Sequence, residues 1–528
     1  MIGATLRTDQ ALFSDPAWQL KTVQQFVSGD APRPNSWIHP RDEDLSLDRE
    51  EYLIWWAPGT VWAVTPLMWA GMSPARATRT VAAVCVLAGS VGWTLWFAEF
   101  GLPAALVAAY AAALPWLHLS SNALFMFSSE ILVFAATPWV LLAALAAARA
   151  PTRTSRWLAT GTGAGLLYVI KYSATFVTGG VVAWLAWQAW RAFRVSRDRA
   201  VPVCAVAAAV SAAAPIVALS LLNRHAGGAM NLMAASGRGQ WHWVNLLHIV
   251  AFPALIAADL DAVLRYVLLH PTHGLTRNPL WLSVIGSLGG VVLLPLVVRR
   301  GVTVPAADLA RAVLASSMAG LLLSWTISDG VGVEARFLFT GGSAALPLAL
   351  AEGRALWRDR RPALRAVLAA TAFAFVVVPF AYGFVSVAAK VWRYPAYHPG
   401  ASGQYNPLLA QTEAASVTAR LQRDFVVAED VWYLPEPQSA LDLAGRAIIR
   451  HADFQRIEDL RLDRFVTSRT LRAHVLLPPR FERNGKGAVI RASFPQATEW
   501  TREAIPGSEY DRWTATLAVP RAAPLAPR

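Results

Sequence analysis

The sequence predicts a mainly α, polytopic helical membrane protein ending in a small C-terminal α/β domain, on the strength of its composition, its apolar runs and the placing of its charge. Of the 528 residues, 55% are hydrophobic and 15% charged, against the roughly 25% charge usual for soluble domains. Apolar runs recur at 102–117, 131–148, 201–222, 280–298, 313–327 and 366–389, each near the roughly 20 residues that cross a hydrocarbon core as helix. The net charge of +13 is concentrated, with loops 149–156, 191–199, 299–311 and 352–365 carrying +3, +3, +2 and +3. Short basic loops between apolar spans are the positive-inside signature and exclude a nucleic-acid groove as the reason for the high pI.

The elements follow in order from that pattern. Residues 1–57 are polar, with five basic and nine acidic residues; they lack the apolar stretch of a secretory signal and are expected to form an extracytoplasmic loop with amphipathic helices. Residues 58–389 hold about ten expected spans. With the basic loops in the cytoplasm, 131–148 enters, 157–172 leaves, 174–190 enters and 200–222 leaves, while 278–298, 312–328, 336–352 and 365–389 complete the alternation. Residues 223–277 then lie outside, where 237–243 is an aromatic interface belt and 243–269, interrupted by Asp259, Asp261 and Arg265, suits a helix along the interface. Between 58 and 130, Arg76 and Arg79 are expected at the cytoplasm, so one of the runs 80–98 and 102–117 is expected not to cross. Parity puts the tail, 390–528, outside as an α/β domain with 19 basic and 15 acidic residues. Its expected strands are 425–428, 447–450, 474–477, 488–492 and 514–519, with helices in 408–422 and 436–445. Cys85 and Cys204 both lie in apolar runs, so a disulfide framework is not expected.

Ionisable groups at the ends of spans are costly and usually have a reason. Three clusters stand out: the acidic first segment ending in Trp56-Ala-Pro-Gly59, the Ser128-Ser-Glu130 helix start, and Asp329 to Arg336 at the mouth of a late span. Lys171, alone between two apolar runs, must reach water or an anion. His270 and His273 stand three apart without a third clustered ligand, which leaves a divalent metal as a weak alternative to no cofactor.

These features in this order resemble the GT-C fold of polytopic glycosyltransferases that use polyprenyl-phosphate sugars, including protein O-mannosyltransferases and aminoarabinose transferases. The resemblance rests on Asp15-Pro-Ala-Trp with the amphipathic stretch to Gly29, Trp56-Ala-Pro-Gly59, Ser129-Glu130, Lys171-Tyr172 and Arg336-Phe337, and covers most of 9–389. Members of that family carry a transmembrane helix ahead of the acidic loop, whereas eight residues precede Asp9 in this sequence. The resemblance implies an inverting transfer from a lipid-linked donor in the plasma (inner) membrane to an extracytoplasmic glycan, lipid or protein acceptor, without nucleic acid. It implies Asp15, or Asp9, as general base and Glu130 as a residue that orients acceptor or base. Lys171, Arg336, Trp56 and Tyr172 would hold the phosphate and sugar.

Each residue has a plainer reading. Asp15 and Asp9 suit helix N-caps, Glu130 suits a helix dipole, Lys171 suits snorkelling, and Arg336 could pair with Glu334 or Asp329. Asp42, Glu43 and Asp44 read as a solvated charge run. A transporter or a non-catalytic membrane scaffold are the competing functions, although neither internal repeats nor broken midplane helices are legible.

Overall fold

The computed structural model describes residues 14–118, 127–230, 291–327, 335–358, 361–393, 402–404, 414–452, 455–508 and 510–519. Asp9, the aromatic belt, the interface helix at 243–269, His270, His273, Asp329 and Glu334 lie outside them. The expected class is borne out: the protein is a mainly α polytopic membrane protein with a small mixed sheet near its C-terminus.

After α1 (Ser14–Ser28), strands β1 (Ser36–Arg41) and β2 (Asp44–Tyr52) pair antiparallel as a hairpin, so among its described residues the first segment holds a helix and a hairpin rather than a series of helices. The membrane bundle follows as α2 (Gly59–Trp69), α3 (Pro74–Ala98), α4 (Ala104–His118), α5 (Ser129–Ala148), α6 (Thr154–Ile170), α7 (Thr175–Ser196) and α8 (Ala200–Gly227), then α9 (Pro305–Ile327), α10 (Ala335–Trp357), α11 (Pro362–Ala372) and α12 (Val378–Arg393). A single π-helical turn, Phe373–Val377, joins the last two. Among the described residues, Pro74–Ala98, Ser129–Ala148, Ala200–Gly227 and Pro305–Ser324 are long and apolar enough to cross a membrane.

Side-chain pairs show which helix ends share a face. Arg149 bonds Glu99 at the end of α3, while Arg311 and Arg299 reach the buried Glu352 of α10 at 3.3 and 3.7 Å. The opposite end of α3 meets the chain near the C-terminal domain: Arg79 Nη2 donates to Gly403 O at 3.2 Å and Gln404 Nε2 to Thr78 Oγ1 at 2.8 Å. Arg76 and Arg79 therefore stand at the end of α3 away from the basic loops, contrary to expectation. The reason is that α2, at 11 residues, is too short to cross. It packs under α1, so α3 starts on the domain face, and of the runs 80–98 and 102–117 it is α3, not the 15-residue α4, that is long enough to cross.

Small residues set the close contact between α6 and α8. A Cβ on Gly161 of α6 would sit 2.2 Å from Ala208 O of α8, and one on Gly165 would sit 2.3 Å from Ala212 O. Only glycine permits that approach, the small-xxx-small packing that holds helices in lipid where burial from water offers no drive.

The C-terminal domain adds α13 (Ala414–Gln422), β3 (Asp430–Leu434), α14 (Pro437–Asp442), β4 (Ala447–Ile449), β5 (Leu471–Leu477), a helix at Lys486–Ala492, β6 (Thr501–Ala504) and β7 (Asp511–Leu517). The sheet runs β4-β3-β5-β7-β6, with β3 parallel to β4 and β5 and the rest antiparallel. Strands expected at 447–450, 474–477 and 514–519 are present; those at 425–428 and 488–492 are not. Val426 and Val427 are exposed ahead of β3. Segment 488–492 is helical, starting after Gly485 at φ +79° and packing Ile490 inward.

The first segment shares this domain's cores. Trp18, Trp37 and Leu53 pack with Trp432, Leu434 and Leu476, and Leu45 packs with Val431, Tyr433 and Phe465. On the other side of α1, Ala17, Leu20 and Val23 join the membrane core beside Val61 and Val64. The acids expected as a solvated run are partly engaged: Asp42 pairs with Arg450, and just beyond the run Asp48 pairs with Arg446 at 2.8 Å. Asp44 accepts the Ser468 and Ser46 amides at 3.0 and 2.9 Å. Partial burial pushes its carboxyl up, but hydrogen bonds from Ser468 and Ser46 prevail and hold it well below the usual carboxylate range. Glu43 stays exposed.

Candidate functional site

The turn between α6 and α7 is the focus. Lys171 ends α6 in extended backbone (φ −156°, ψ 126°), and Tyr172–Ala174 make one 3-10 turn before α7. That break holds two polar side chains at the domain face, where α5 begins. Ser128 precedes α5 without a side-chain capping bond, and Glu130 lies in its first turn. Glu130 bonds Lys171 Nζ directly, with side chains only 10% and 13% exposed. Glu130 thus keeps its place at the positive end of the α5 dipole, while Lys171, instead of snorkelling, forms a buried ion pair with it.

Tyr172 extends the cluster. Its hydroxyl donates to Trp56 O at 3.4 Å and accepts from Asn223 Nδ2 at 2.9 Å. Asn223 is fully buried near the end of α8 and also donates to Met230 O at 2.9 Å. The Trp56-Ala-Pro-Gly59 entry lies against the same turn, since a Cβ on Gly59 would sit 2.6 Å from the Ile170 Cα. Gly59 is required by that contact.

Asp15 lies inside α1, in its first turn, not at the cap. One turn on, Gln19 Nε2 donates to Ala57 O at 3.0 Å, next to the Trp56 carbonyl held by Tyr172. Its other flank faces the C-terminal domain, where Trp18 Nε1 donates to His451 Nε2 at 2.8 Å. Burial pushes the His451 pKa down, and the Asp15 carboxylate opposes that shift. Arg336 is the second residue of α10, at the end away from Glu352.

The structure therefore brings together Glu130, Lys171, Tyr172 and Trp56, and ties Asp15's helix to them through Gln19 and Ala57. Asn223, Gln19 and His451 were not anticipated. Asn223 had a signal, an amide closing a long apolar run; Gln19 and His451 had none, because their partners lie 38 and 433 positions away. Among the described residues, no group of three or more His, Cys, Asp or Glu is placed to hold a metal ion.

No family model matches the chain, and no curated protein matches it. Among solved structures it is similar to ArnT from Cupriavidus metallidurans in the apo state, at 12% identity and TM-score 0.49, covering 99% of this chain and 97% of that one. It is similar to the same protein bound to undecaprenyl phosphate, at 12% identity and TM-score 0.45 with the same 99% and 97% coverage. It is also similar to the Archaeoglobus fulgidus oligosaccharyltransferase in complex with Zn and sulfate, at 11% identity and TM-score 0.48, covering 96% of this chain and 70% of that one.

Proposed function

We propose that this chain is a membrane glycosyltransferase of the GT-C type that moves a sugar from a polyprenyl-phosphate donor to an acceptor, with inversion and with Asp15 as general base. The observation that supports it best is the buried Lys171–Glu130 pair, linked through Tyr172 to Trp56 and Asn223 beneath the helix that carries Asp15. In this reading residues 1–57, the membrane region 58–389 and the domain 390–528 are the working parts, and the domain face is the extracytoplasmic side of the plasma membrane.

The chemistry needs a carboxylate beside the acceptor hydroxyl and fixed positive charge where phosphate charge develops. Asp15 takes the hydroxyl proton as the oxygen attacks the anomeric carbon. The bond from that carbon to the phosphate oxygen breaks, and polyprenyl phosphate leaves with the electron pair. In this reading Lys171 and Arg336 supply the positive charge for the leaving phosphate, a guanidinium being suited to two-point contact. Glu130 holds the Lys171 ammonium charged and oriented, and Trp56 and Tyr172 border the sugar. Asp9 is the alternative base.

The test uses the full chain in membrane vesicles with a panel of undecaprenyl-phosphate-linked sugars, measuring undecaprenyl phosphate released. Asp15→Asn at unchanged expression is expected to lower turnover by about 10²-fold or more, in line with general-base contributions. Purified protein is expected to bind undecaprenyl phosphate, and Lys171→Met to bind it at least about 10-fold more weakly, the loss of one charge-assisted contact. Turnover unchanged in both Asp15→Asn and Asp9→Asn would remove the base assignment, and absence of turnover and of lipid-phosphate binding would overturn the function.

A further inference from the structure

Among the described residues, hydrogen bonds tie α1 to the C-terminal domain. Lys21 Nζ donates to Ala440 O at 2.9 Å, Gln24 Nε2 to Leu441 O at 3.2 Å, and Trp18 Nε1 to His451 Nε2 at 2.8 Å. The first two lie in the middle of the helix. Trp18 is one turn from Asp15, so the two side chains share a flank.

The indole has little freedom to find another acceptor. Trp18 is 8% exposed, and its ring meets Trp37 edge-on at 4.4 Å, which in turn stacks on His39 at 3.9 Å. Accepting at Nε2 also selects one form of His451, the neutral imidazole with its proton on Nδ1. The residue that receives the Trp18 bond belongs to a different part of the chain from every other site residue, and it follows β4, which packs at the edge of the domain sheet.

We propose that His451 is a positioning residue for transfer: by accepting the Trp18 indole N–H it fixes the first turn of α1, and so Asp15, against the C-terminal domain. This rests on the reading of Asp15 as base. It assigns the domain a role in the reaction, because a carboxylate misplaced by about 1 Å can lose about 10²-fold in rate. The charged group acting on the ring from α1 is Asp15. The neighbouring Arg450 turns to Asp42 and to Asp463 at 3.5 Å, and His39, beyond Trp37, faces Glu51 at 3.4 Å. Protonation of His451 at Nε2 removes the acceptor and frees the indole.

The experiment uses the full chain in vesicles with whichever undecaprenyl-phosphate-linked sugar the wild type turns over. His451→Leu is expected to lower kcat at least about 10-fold with donor KM within about 2-fold, since orientation and not binding is lost. His451→Gln, whose amide oxygen can accept the indole N–H and does not titrate, is expected to recover most of kcat. Its activity should also persist to lower pH than the wild type's. Trp18→Phe should match His451→Leu, and the double variant should be no worse than either single one. Wild-type kcat in His451→Leu and Trp18→Phe, with Asp15→Asn inactive, would overturn the proposal and leave the base assignment standing. If Asp15→Asn remains active, Asp15 is not the base and this role falls with it. Should His451→Leu misfold, His451→Gln and Trp18→Phe carry the same test.

Discussion

Replacing Gly161 and Gly165 together by alanine probes how the bundle supports the site. Their new Cβ atoms would stand 2.2 and 2.3 Å from the carbonyl oxygens of Ala208 and Ala212, where ordinary contact needs about 3.4 Å, so α6 and α8 must part by about 1 Å along this seam. Overpacking of that kind costs about 1–3 kcal/mol per site. The displacement reaches function, because the seam runs toward Tyr172 after α6 and Asn223 on α8, whose 2.9 Å hydrogen bond would stretch to about 4 Å, beyond hydrogen-bonding range. Thermal unfolding in detergent, followed by tryptophan fluorescence, should show a lower midpoint for each single variant and a larger drop for the pair. Undecaprenyl phosphate binding should weaken in parallel. A double variant with unchanged midpoint and unchanged binding would refute both the close seam and its connection to the site.

Lys171→Met should destabilise the protein by about 3–5 kcal/mol by stripping buried Glu130 of this partner, and the Lys171→Met/Glu130→Gln double variant should recover most of it; a double-mutant cycle in the same unfolding assay checks the coupling. Burial pushes the Lys21 pKa down to about 8, against the pull of Asp30 and Asp442. The unfolded chain therefore holds more protons between about 8 and the ordinary lysine value, and stability should rise with pH across that window. Lys21→Met should flatten the rise. In the C-terminal domain, burial pushes His474 down to about 4 although Asp430 pulls it up, so stability should be full above about 6.5 and fall as pH drops toward 4. Asp44, held below its ordinary range, keeps its contribution until more acid conditions. Limited proteolysis across pH at the junction of the hairpin and domain should release the two in that order.

Asp42 shows how a local reading can mislead, and its neighbour Asp48 behaves in the same way. In sequence they belong to a hydrophilic acidic stretch, for which solvent is the default partner; in space they meet Arg450 and Arg446, some 400 positions later. The strand β3 was hidden for a related reason. It opens on Asp430, a poor strand former, which is buried only because Arg472 at 2.7 Å and His474 at 3.4 Å stand on the adjacent strand. The exposed Val426 and Val427 drew the expectation five residues early.

Membrane character, the helical class and the positions of most described helices were legible in the amino-acid sequence alone, because transfer of side chains between water and hydrocarbon is additive along a helix and needs no partner. The position of α2, the side on which Arg76 and Arg79 stand, the Lys171–Glu130 pair and the contact of Trp18 with His451 were decided only in the folded chain. Each is a pairing between distant segments, and whether a polar group meets water or another polar group depends on which surfaces packing brings together.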